Sequence, residues 1–549
     1  MSSATPILLP DQFNAATYFI DRHLQEGRGE RIAIEAEGLR VSYRQLGEKV
    51  NRFGNGLRRL SVRIEERVLL LLLDGPEFAI SFFGAIKIGA VPVPVNTLLK
   101  PADYQYILNN SRARVAVVSE SLYPQIQAIS REQLRYLRHI IVVGAESPAG
   151  TLRFGEMIEQ NSFELDAEPT SKDDAAFWLY SSGSTGFPKA CVHLQHDMVV
   201  CSERYAKGVL GITENDRCFS VAKLFFAYGL GNALYFPLAV GGTSILWPGP
   251  PKPQHVFQII ERHRPTLFFS VPSNYATLLA YAPSTVEVGT AAPSTSLRAG
   301  PGRPGAPSAP DFDLSSVRYG ISAGEALPAA LFHRFKERFG VEILDAIGST
   351  EVLHMFIANR PGAVRPGSSG QIIDGYEARI ADENNQPVKP GDIGNLVIRS
   401  DSTCSHYWNQ HEKSKSTIEG HWIRTGDKYY QDADGYFWYA GRSDDMLKCS
   451  GVWVSPIEIE SVMIEHPAVQ EAAVIGREDN DRLLKPVACV VLKNGAARTP
   501  DLARELQEFV VSRLPIFKRP RWVEFFDELP RTATGKLQRY KLREPPSGS

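Results

Sequence analysis

Strand-like and helix-like patterns alternate along the first two-thirds of the chain, and this alternation constrains the fold more than any other feature. The apolar run Val68–Leu73 has the length of a buried strand, the amphipathic pattern Glu77–Ile88 that of a helix, and Ala90–Val95 is strand-like again. Val115–Val118 and Ile140–Val143 continue the series. Strands that alternate with helices form largely parallel sheets with helices packed on their faces, so the sequence predicts an α/β fold.

The chain divides into unequal parts. Its 549 residues exceed what one hydrophobic core organises, which predicts two or more structural units. The composition changes near Gly441–Asp445. The part that follows carries two strand candidates and two helix patterns, at Val469–Ile475, Pro486–Leu492, Ile457–Glu465 and Leu502–Arg513. We therefore predict a large N-terminal domain, 1–443, and a small C-terminal α+β domain, 444–549.

One stretch interrupts the large domain. Residues 282–310 consist mainly of Ala, Pro, Gly, Ser and Thr. This composition buries too little apolar area to offset the entropy lost on ordering, so we expect an exposed, disordered loop insertion.

Charge and cysteine content exclude several classes of protein. A net charge of −2 gives no long-range attraction to nucleic acid or to an anionic membrane. The six cysteines form no C-x-x-C pair, which argues against zinc and against a disulfide framework. The N-terminus lacks a signal-peptide pattern, and Val68–Leu73 is too short to span a bilayer. We expect a cytoplasmic protein, either monomer or homodimer, with no nucleic-acid or membrane partner.

The stretch Tyr180–Lys189 carries the first chemical signal. It places hydroxyls and two glycines between an apolar run and a lysine. Glycine lets backbone N–H groups approach a phosphate, hydroxyls donate hydrogen bonds to it, and lysine supplies charge. A Ser/Gly surface turn would have the same composition. It is not a Walker P-loop, because Pro188 precedes Lys189 and Ala190 follows it, and Gly535-Lys536 is followed by Leu537.

Tyr180–Lys189 resembles the signature of the acyl-adenylate-forming (ANL) superfamily, which includes acyl-CoA synthetases, luciferases and the adenylation domains of peptide synthetases. Ala190 replaces the usual final glycine. Further motifs of this family follow in the expected order. The resemblance implies large α/β sheets with a β-barrel-like subdomain, and a small C-terminal domain that rotates between two half-reactions.

The second motif is Ile347–Glu351. The resemblance assigns a phosphate contact to Thr350 and Mg²⁺ to Glu351, consistent with the preference of magnesium for oxygen ligands. Ile347 stands where the family usually has tyrosine, so a ring contact to adenine from that position is lost. Alone, a Thr-Glu pair is more typical of a helix start than of a metal site.

Further stretches resemble the remaining nucleotide motifs. Ser322–Ala326 resembles the adenine-contacting turn, and Arg424–Asp427 resembles the motif whose aspartate takes both ribose hydroxyls. Arg442 matches the arginine that also reaches the ribose. The resemblance assigns the nucleotide and coenzyme A to Ser181, Ser182, Gly183, Ser184, Thr185, Gly186, Lys189, Ser322, Ala323, Gly324, Glu325, Asp345, Ile347, Gly348, Asp427, Arg442, Asp444, Lys448, Gly451 and Trp453.

The last motifs concern the C-terminal domain. Asp444 falls at the family's hinge, and Gly451 corresponds to the glycine that lines the pantetheine tunnel. Pro530–Lys536 matches the closing motif. The resemblance makes Lys536 the catalytic lysine and counts Thr350 and Glu351 as catalytic residues as well. Without this context, a lysine near the C-terminus would be an ordinary solvated charge.

These motifs imply an acid–thiol ligase that uses ATP, Mg²⁺ and coenzyme A. A carboxylate attacks the α-phosphorus of ATP, and Lys536 with Mg²⁺ at Glu351 offsets the repulsion between the two anions. A thiol then displaces AMP. We expect coenzyme A as the acceptor because no carrier domain follows Lys536, and transfer to a separate carrier protein stays open.

The middle of the chain indicates which carboxylic acid is the substrate. Amino-acid-activating relatives carry an aspartate where this chain has Phe226, so an α-ammonium would be buried without a partner. The stretches Lys223–Asn232 and Asp345–Arg360 most resemble benzoate–CoA ligases, and an aromatic lining suits a flat ring. We assign the acid to Phe226, Ala227, Tyr228, Gly229 and His354.

Alternatives to this reading remain. Ordinary core packing would also explain the aromatic residues, and a structural role would explain His354. Benzoate, 2-aminobenzoate and hydroxybenzoates form the first hypothesis, and medium or long fatty acids form the second. A binding protein that has lost catalysis is the non-enzymatic alternative, and the retained Lys536, Glu351 and Asp427 argue against it.

Overall fold

A computed structural model describes residues 5–181, 188–281, 312–442, 445–449, 452–479, 484–493, 495–531 and 537–543, without the side chains at 448, 449, 452, 453 and 517. The loop insertion predicted at 282–310 and the hinge predicted at Asp444 lie outside these residues.

Strands account for much of the described chain. They are β1 Ile32–Ala36, β2 Leu39–Ser42, β3 Arg67–Leu71, β4 Val91–Pro94, β5 Val115–Ser119, β6 His139–Val143, β7 Leu152–Arg153, β8 Ala175–Ser181, β9 Lys189–Leu194, β10 Arg217–Ser220, β11 Thr243–Leu246, β12 Leu267–Ser270, β13 Tyr319–Ser322, β14 Ile343–Gly348, β15 Met355–Ala358, β16 Gln371–Ile372, β17 Glu377–Ala381, β18 Gly394–Arg399, β19 His406–Tyr407, β20 Ile418–Glu419, β21 Trp422–Gln431, β22 Phe437–Arg442, β23 Leu447–Cys449, β24 Val452–Val454, β25 Val469–Glu478, β26 Leu484–Leu492 and β27 Trp522–Phe526.

Helices fill the connections. They are α1 Arg22–Gln25, α2 Tyr43–Arg59, α3 Pro76–Lys87, α4 Pro101–Ser111, α5 Tyr123–Gln127, α6 Phe154–Glu159, α7 Asp197–Cys201, α8 Ala227–Leu230, α9 Phe236–Val240, α10 Pro253–His263, α11 Pro272–Ala280, α12 Ala329–Phe339, α13 His411–Thr417, α14 Pro456–Ile464, α15 Pro500–Val511 and α16 Arg539–Arg543. Short 3₁₀ and π segments extend several of them.

A five-stranded parallel sheet, in the order β4-β3-β5-β6-β7, confirms the predicted alternation of strands and helices. Its strands are continuous apolar runs because helices cover both faces of such a sheet. Helix α3 begins at Pro76, which suits the first turn since it has no N–H to leave unpaired. Helix α2 begins with a capping box in which the side chains of Ser42 and Gln45 satisfy each other's backbone N–H groups.

A nine-stranded sheet, in the order β16-β15-β14-β13-β12-β10-β11-β1-β2, forms the second layer. Its central strands, from β14 to β1, are parallel, and antiparallel strands close both edges. The parallel register pairs Ser322, the last residue of β13, with Asp345 of β14. Ligands of open α/β sheets bind beyond the carboxyl ends of parallel strands, so this edge is the expected place for a site.

Two antiparallel units complete the large domain. Strands β8 and β9 form a hairpin, and β19 pairs with β9. Strands β17, β18, β21 and β20 form a sheet in that order, with β22 on β21. The resemblance implied a β-barrel-like subdomain without placing it in the chain, and this five-stranded antiparallel sheet stands apart from the two parallel sheets.

The C-terminal part of the chain has its own sheet and core. Strands β25 and β26 are antiparallel, and β27 joins β26 in parallel. Helices α14 and α15 pack on this sheet, with Ile459, Met463, Leu506 and Val510 all fully buried. The two strands and two helices predicted here are confirmed. The boundary at 443/444 stays a prediction.

The five cysteines whose side chains are described are buried and outside any disulfide. None of the helices in the described ranges combines the length and apolar character needed to cross a bilayer.

Candidate active site

The β8–β9 hairpin positions one end of the site. Ser181 and Lys189 are the last residues that pair across it, and the predicted phosphate-contacting residues Ser182, Gly183, Ser184, Thr185 and Gly186 lie between them, outside the described residues. Ser181, at the end of β8, lies 3.5 Å from the carboxylate of Glu351 through its hydroxyl.

Three side chains converge on one oxygen of Glu351. The ammonium of Lys189 lies 3.1 Å from Oε1, the hydroxyl of Tyr407 donates to it at 2.9 Å, and the hydroxyl of Ser181 donates at 3.5 Å. Burial alone would raise the pKa of the Glu351 carboxyl, but the Lys189 ammonium and the Tyr407 hydrogen bond hold it below its usual value. Glu351 is therefore an ionised carboxylate in a largely buried position.

The backbone that carries Glu351 is held at successive carbonyl groups. His193 Nε2 lies 2.9 Å from the carbonyl oxygen of Thr350, and His193 Nδ1 lies 2.8 Å from a carboxylate oxygen of the fully buried Asp197. The N–H of Cys404 donates to the carbonyl of Glu351 at 2.7 Å. These contacts leave the peptide units of the motif little freedom to turn.

The chain reverses sharply after this motif. Ser349 caps the short 3₁₀ segment Thr350–Val352. Leu353 then adopts φ 68° and ψ −47°, and the N–H of His354 donates to the carbonyl of Val352 at 2.9 Å, which together form a γ-turn of the rare, strained kind. The turn places Glu351 and His354 on different sides of one short segment.

Asp345 forms the buried floor beside this motif. It is 3% exposed, and burial raises its pKa to about 8. The N–H of Leu327 donates to Oδ2 at 3.4 Å, while Oδ1 is buried without a hydrogen-bond partner among the described residues. A carboxyl that is protonated at neutral pH can both donate and accept, which matches an amine beside a ring nitrogen, as in adenine.

The adenine-contacting turn lies on the neighbouring strand end. Ser322 and Ala323 are buried, and Gly324 has φ +91°, which favours glycine. Gly348 is crowded as well, since a Cβ there would lie 2.5 Å from the carbonyl oxygen of His354. Ile347 packs against the main hydrophobic core.

The two predicted ribose-binding residues contact each other. Asp427 on β21 is in register with Arg442 on β22, and the Arg442 guanidinium donates to Asp427 Oδ1 at 3.0 Å and to the carbonyl of Thr425 at 3.2 Å. Gly426 has φ +78°, and a Cβ there would lie 2.9 Å from that guanidinium. Arg442 thus orients the Asp427 carboxylate.

The segment assigned to the acid is anchored at its start. The ammonium of Lys223 donates to the carbonyls of Trp247 and Gly249 at 2.5 and 2.8 Å. The N–H of Leu224 donates to the buried carboxyl of Asp74 at 3.1 Å. Burial raises the pKa of Asp74 to about 6, against the opposing effect of the Lys223 ammonium.

Phe226 and Tyr228 follow this anchor, and both are half-buried. Phe226 packs against Phe225 with ring centroids 4.3 Å apart. The Tyr228 hydroxyl donates to the carbonyls of Ser270 and Ile321, at 3.0 and 3.1 Å. Tyr228 therefore ties the aromatic segment to the ends of β12 and β13, beside the adenine-contacting turn.

Gly229 and His354 are two further residues assigned to the acid. A Cβ on Gly229 would lie 2.1 Å from the carbonyl oxygen of Lys223, so no side chain fits there. His354 is 2% exposed, and its ring lies 5.9 Å from that of Tyr228. Burial lowers the pKa of His354 to about 3, so it is neutral, and Nε2 lies 3.1 Å from Asn232 Oδ1.

Other predicted residues lie outside the described part of the chain. They are Ser182, Gly183, Ser184, Thr185, Gly186, Asp444, Gly451 and Lys536. Lys448 and Trp453 pair across the β23–β24 hairpin, and their side chains are not described. Their roles stay predictions.

The sequence analysis missed two residues at this cluster, Tyr407 beside the Glu351 carboxylate and His193 beside the Thr350 carbonyl. Tyr407 lies more than fifty positions away, and its pairing with Cys191 across β19 and β9 is what brings it to Glu351. His193 lies two residues beyond Cys191 on the same strand. The only sequence signal was that His193 follows the phosphate signature on an apolar run, which is equally typical of a core histidine.

The Asp345 pKa gives a first prediction. Since the native protein keeps a proton that the unfolded chain releases above about pH 4, we expect the free energy of unfolding to fall by about 1.4 kcal/mol per pH unit up to about pH 8 and then to level off. Asp345→Asn should remove that component in thermal melts across this range. Asp374→Asn is the matched control, because the Asp374 side chain is 87% exposed. An unchanged pH profile in Asp345→Asn would contradict the assignment.

Family models and a similar protein assign the chain to the same family. The AMP-binding enzyme model matches residues 21–408, and the AMP-binding enzyme C-terminal domain model matches residues 458–536. A benzoate–CoA ligase of Thauera aromatica is 46% identical, over 98% of this chain and 98% of that protein.

Solved structures agree with the sequence comparison. The anthranilate CoA ligase AuaEII, in complex with anthranoyl-AMP, has a TM-score of 0.89 and 43% identity, over 97% of each chain. A benzoate CoA ligase from Burkholderia xenovorans LB400 has a TM-score of 0.84 and 44% identity, over 97% of this chain and 100% of that one.

Proposed function

Because the chain belongs to the AMP-binding enzyme family, we propose that it is an AMP-forming aromatic acid–CoA ligase. It adenylates benzoate or a small ring-substituted benzoate with release of pyrophosphate. It then transfers the aroyl group to coenzyme A with release of AMP. The two domains follow the predicted boundary, and the C-terminal domain rotates between the steps.

One structural observation carries the choice of acid. Ser322 and Asp345, both assigned to the nucleotide, pair in register on β13 and β14, and Tyr228 ties the aromatic segment to the same sheet through the carbonyls of Ser270 and Ile321. A flat ring beside Phe226 and Tyr228 would therefore present its carboxylate toward the nucleotide. The neutral His354 offers no charge to an α-ammonium or a second carboxylate.

The charges of the site suit the first half-reaction. A carboxylate oxygen forms a bond to the α-phosphorus as the bond to pyrophosphate breaks, so two anions have to meet. Lys189 places a cation at this edge and keeps Glu351 ionised. Asp345 binds adenine, and Arg442 holds Asp427 toward the ribose hydroxyls.

The residues present fit a magnesium–nucleotide complex. Among the described residues, no group of three His, Cys, Asp or Glu side chains forms a metal site by itself. Mg²⁺ typically takes one or two carboxylates and completes its shell with substrate phosphates and water, so the single ionised Glu351 is a suitable protein ligand. When bound, Mg²⁺ neutralises phosphate charge.

The second half-reaction uses a thiol. Its sulfur forms a bond to the acyl carbon, and AMP leaves with the electron pair of the broken bond. A carrier-protein thiol would undergo the same step as coenzyme A. Measuring thioester formation with each acceptor distinguishes the two.

Acid-dependent exchange of pyrophosphate into ATP tests this function. The acids to compare are benzoate, 2-aminobenzoate, 3- and 4-hydroxybenzoate, hexanoate, decanoate and phenylalanine. We expect one or more of the aromatic acids to support exchange far better than the rest, and coenzyme A then to yield the thioester. Preference for decanoate would favour the fatty acyl alternative, and exchange with none of the acids would contradict the proposal.

Phe226→Ala gives a prediction for the acid pocket. Removing a half-buried ring should weaken kcat/KM for the preferred aromatic acid by roughly 2–3 kcal/mol, or about 30- to 150-fold, through lost packing and an opened cavity. The KM for ATP should change little. Phe163→Ala is the matched control, because Phe163 is 51% exposed. Unchanged kinetics with the aromatic acid would remove Phe226 from the pocket.

A further inference from the structure

Arg531 links the C-terminal domain to the adenine-contacting turn. One guanidinium nitrogen lies 3.2 Å from the carboxylate of Glu325, in the turn after β13, and the other lies 2.9 Å from the carboxylate of Glu471, on β25. The Arg531 and Glu325 side chains are each 28% exposed. Glu471 therefore orients Arg531 from within its own domain, while Glu325 holds it from the other.

This contact lies at the base of the closing motif. Arg531 and Leu537 form an antiparallel bridge, and Leu537 packs against the core beneath β25 and β26. The residues between them, 532–536, lie outside the described residues. Arg531 and Leu537 therefore flank the segment to which the resemblance assigns the catalytic lysine, Lys536.

Like charges of the two domains also act on each other. Partial burial lowers the pKa of Lys493 in the C-terminal domain, and the charge of Arg334 on α12 of the large domain lowers it further. Attraction at Arg531 thus acts against a repulsion between the same two domains. Because the Arg531–Glu325 ion pair is partly exposed, water can replace each partner when the domain moves.

We propose that the Arg531–Glu325 ion pair is a latch that holds the C-terminal domain in the orientation used for adenylate formation. Both residues are positioning residues for the first half-reaction, since their contact places the base of the Lys536 segment beside the adenine-contacting turn. The latch opens before thiol attack, and Glu471 then keeps Arg531 oriented for its return. This inference rests on the proposed function for its kinetic consequences.

The kinetic test separates the two half-reactions. In full-length Arg531→Gln, pyrophosphate exchange should fall about tenfold or more in kcat, while thioester formation from supplied aroyl-adenylate and coenzyme A stays within about twofold. In Glu325→Gln, exchange should fall by a similar factor. Arg531→Lys, which keeps the charge, should restore most of the exchange. The double variant should lose no more than either single variant, because both substitutions break one contact.

A matched control removes another ion pair of the same sheet. Arg477 pairs with Glu524 at 2.5 Å, within the C-terminal domain. Arg477→Gln should leave the ratio of the two half-reactions unchanged. Equal losses in both half-reactions, or no loss of exchange in Arg531→Gln, would overturn the latch.

A distance measurement tests the latch without any carboxylic acid substrate. Spin labels on cysteines introduced at the exposed Glu337 of α12 and Glu508 of α15, in a Cys449→Ser background, report the separation of the two domains. We expect a narrow distribution in the parent protein and a broad or shifted one in Arg531→Gln. The same distribution in both would overturn the latch. Failure of every acid to support exchange would overturn the proposed function alone.

Discussion

Replacing Lys536 by alanine is expected to slow aroyl-adenylate formation by about 10²- to 10⁴-fold. Thioester formation from supplied aroyl-adenylate should stay within about twofold. The reason is electrostatic: the lysine is proposed to contact the carboxylate and the α-phosphate only while the two anions are brought together, and removing one preorganised charge at a developing anion has effects of this size. After pyrophosphate has left, that repulsion no longer exists.

The measurement compares the two half-reactions in one preparation. Pyrophosphate exchange reports the first step, and release of AMP from aroyl-adenylate with coenzyme A reports the second. Lys541→Ala is the matched control, since Lys541 is an exposed lysine of α16 only five positions away. Equal losses in both steps would show that Lys536 does not act in adenylation alone.

Lys536 and Arg531 should differ in the size of their effects. Lys536→Ala removes a group that we propose contacts the reacting atoms, whereas Arg531→Gln leaves that group present and less well held. We therefore expect the lysine variant to stay slow at any substrate concentration. The Arg531 variant should retain a measurable rate, because the domain still reaches the same orientation part of the time.

The strands and helices of the two sheets were predictable from local patterns. Val68–Leu73 was an unbroken apolar run, and the structure places β3 at Arg67–Leu71, in the middle of a parallel sheet where both faces are buried. The helix predicted at Glu77–Ile88 is Pro76–Lys87. Such elements depend on residues close in sequence, so periodicity predicts them.

The contacts that surround Glu351 could not be predicted in this way. Motifs marked Glu351 and Lys189 separately, but nothing in the sequence joined them to Tyr407 or to His193. Pairing of β19 with β9 creates that convergence, and strand pairing between distant segments leaves no periodic signal. Arg531 and Glu325 are a second example, since each was visible only as part of its own motif.

Asp345 shows the same limit for electrostatics. Its position in the sequence suggested a nucleotide contact, but its pKa of about 8 arises from burial within the nine-stranded sheet, where β14 pairs with β13, and could not be predicted from its neighbours in sequence. The carboxyl is neutral where Glu351, six residues later, is ionised. The difference comes from Lys189, which lies beside Glu351.

Replacing Glu351 by glutamine is the second change with a large expected effect. We expect kcat for pyrophosphate exchange to fall about 10²- to 10³-fold, and the magnesium concentration that gives half-maximal exchange to rise. Glutamine keeps the shape and can still accept from Tyr407, but it lacks the charge that suits a hard cation and leaves the Lys189 ammonium without its partner. Glu383→Gln is the matched control, because the Glu383 side chain is 77% exposed and pairs with Lys428 away from this cluster.

Tyr407→Phe separates the two roles of Glu351. It removes the hydrogen bond that the Tyr407 hydroxyl donates to Oε1 and the one that it accepts from the Lys189 ammonium at 3.0 Å, and it leaves both charged groups in place. If Glu351 acts as the magnesium ligand, Tyr407→Phe should reduce exchange by only about three- to tenfold and leave the magnesium dependence almost unchanged. If Glu351 serves only to hold Lys189 and the β9 backbone, Glu351→Gln should lower thermal stability without shifting the magnesium dependence, and that result would contradict the metal assignment. The two variants together therefore distinguish a metal ligand from a structural ion pair.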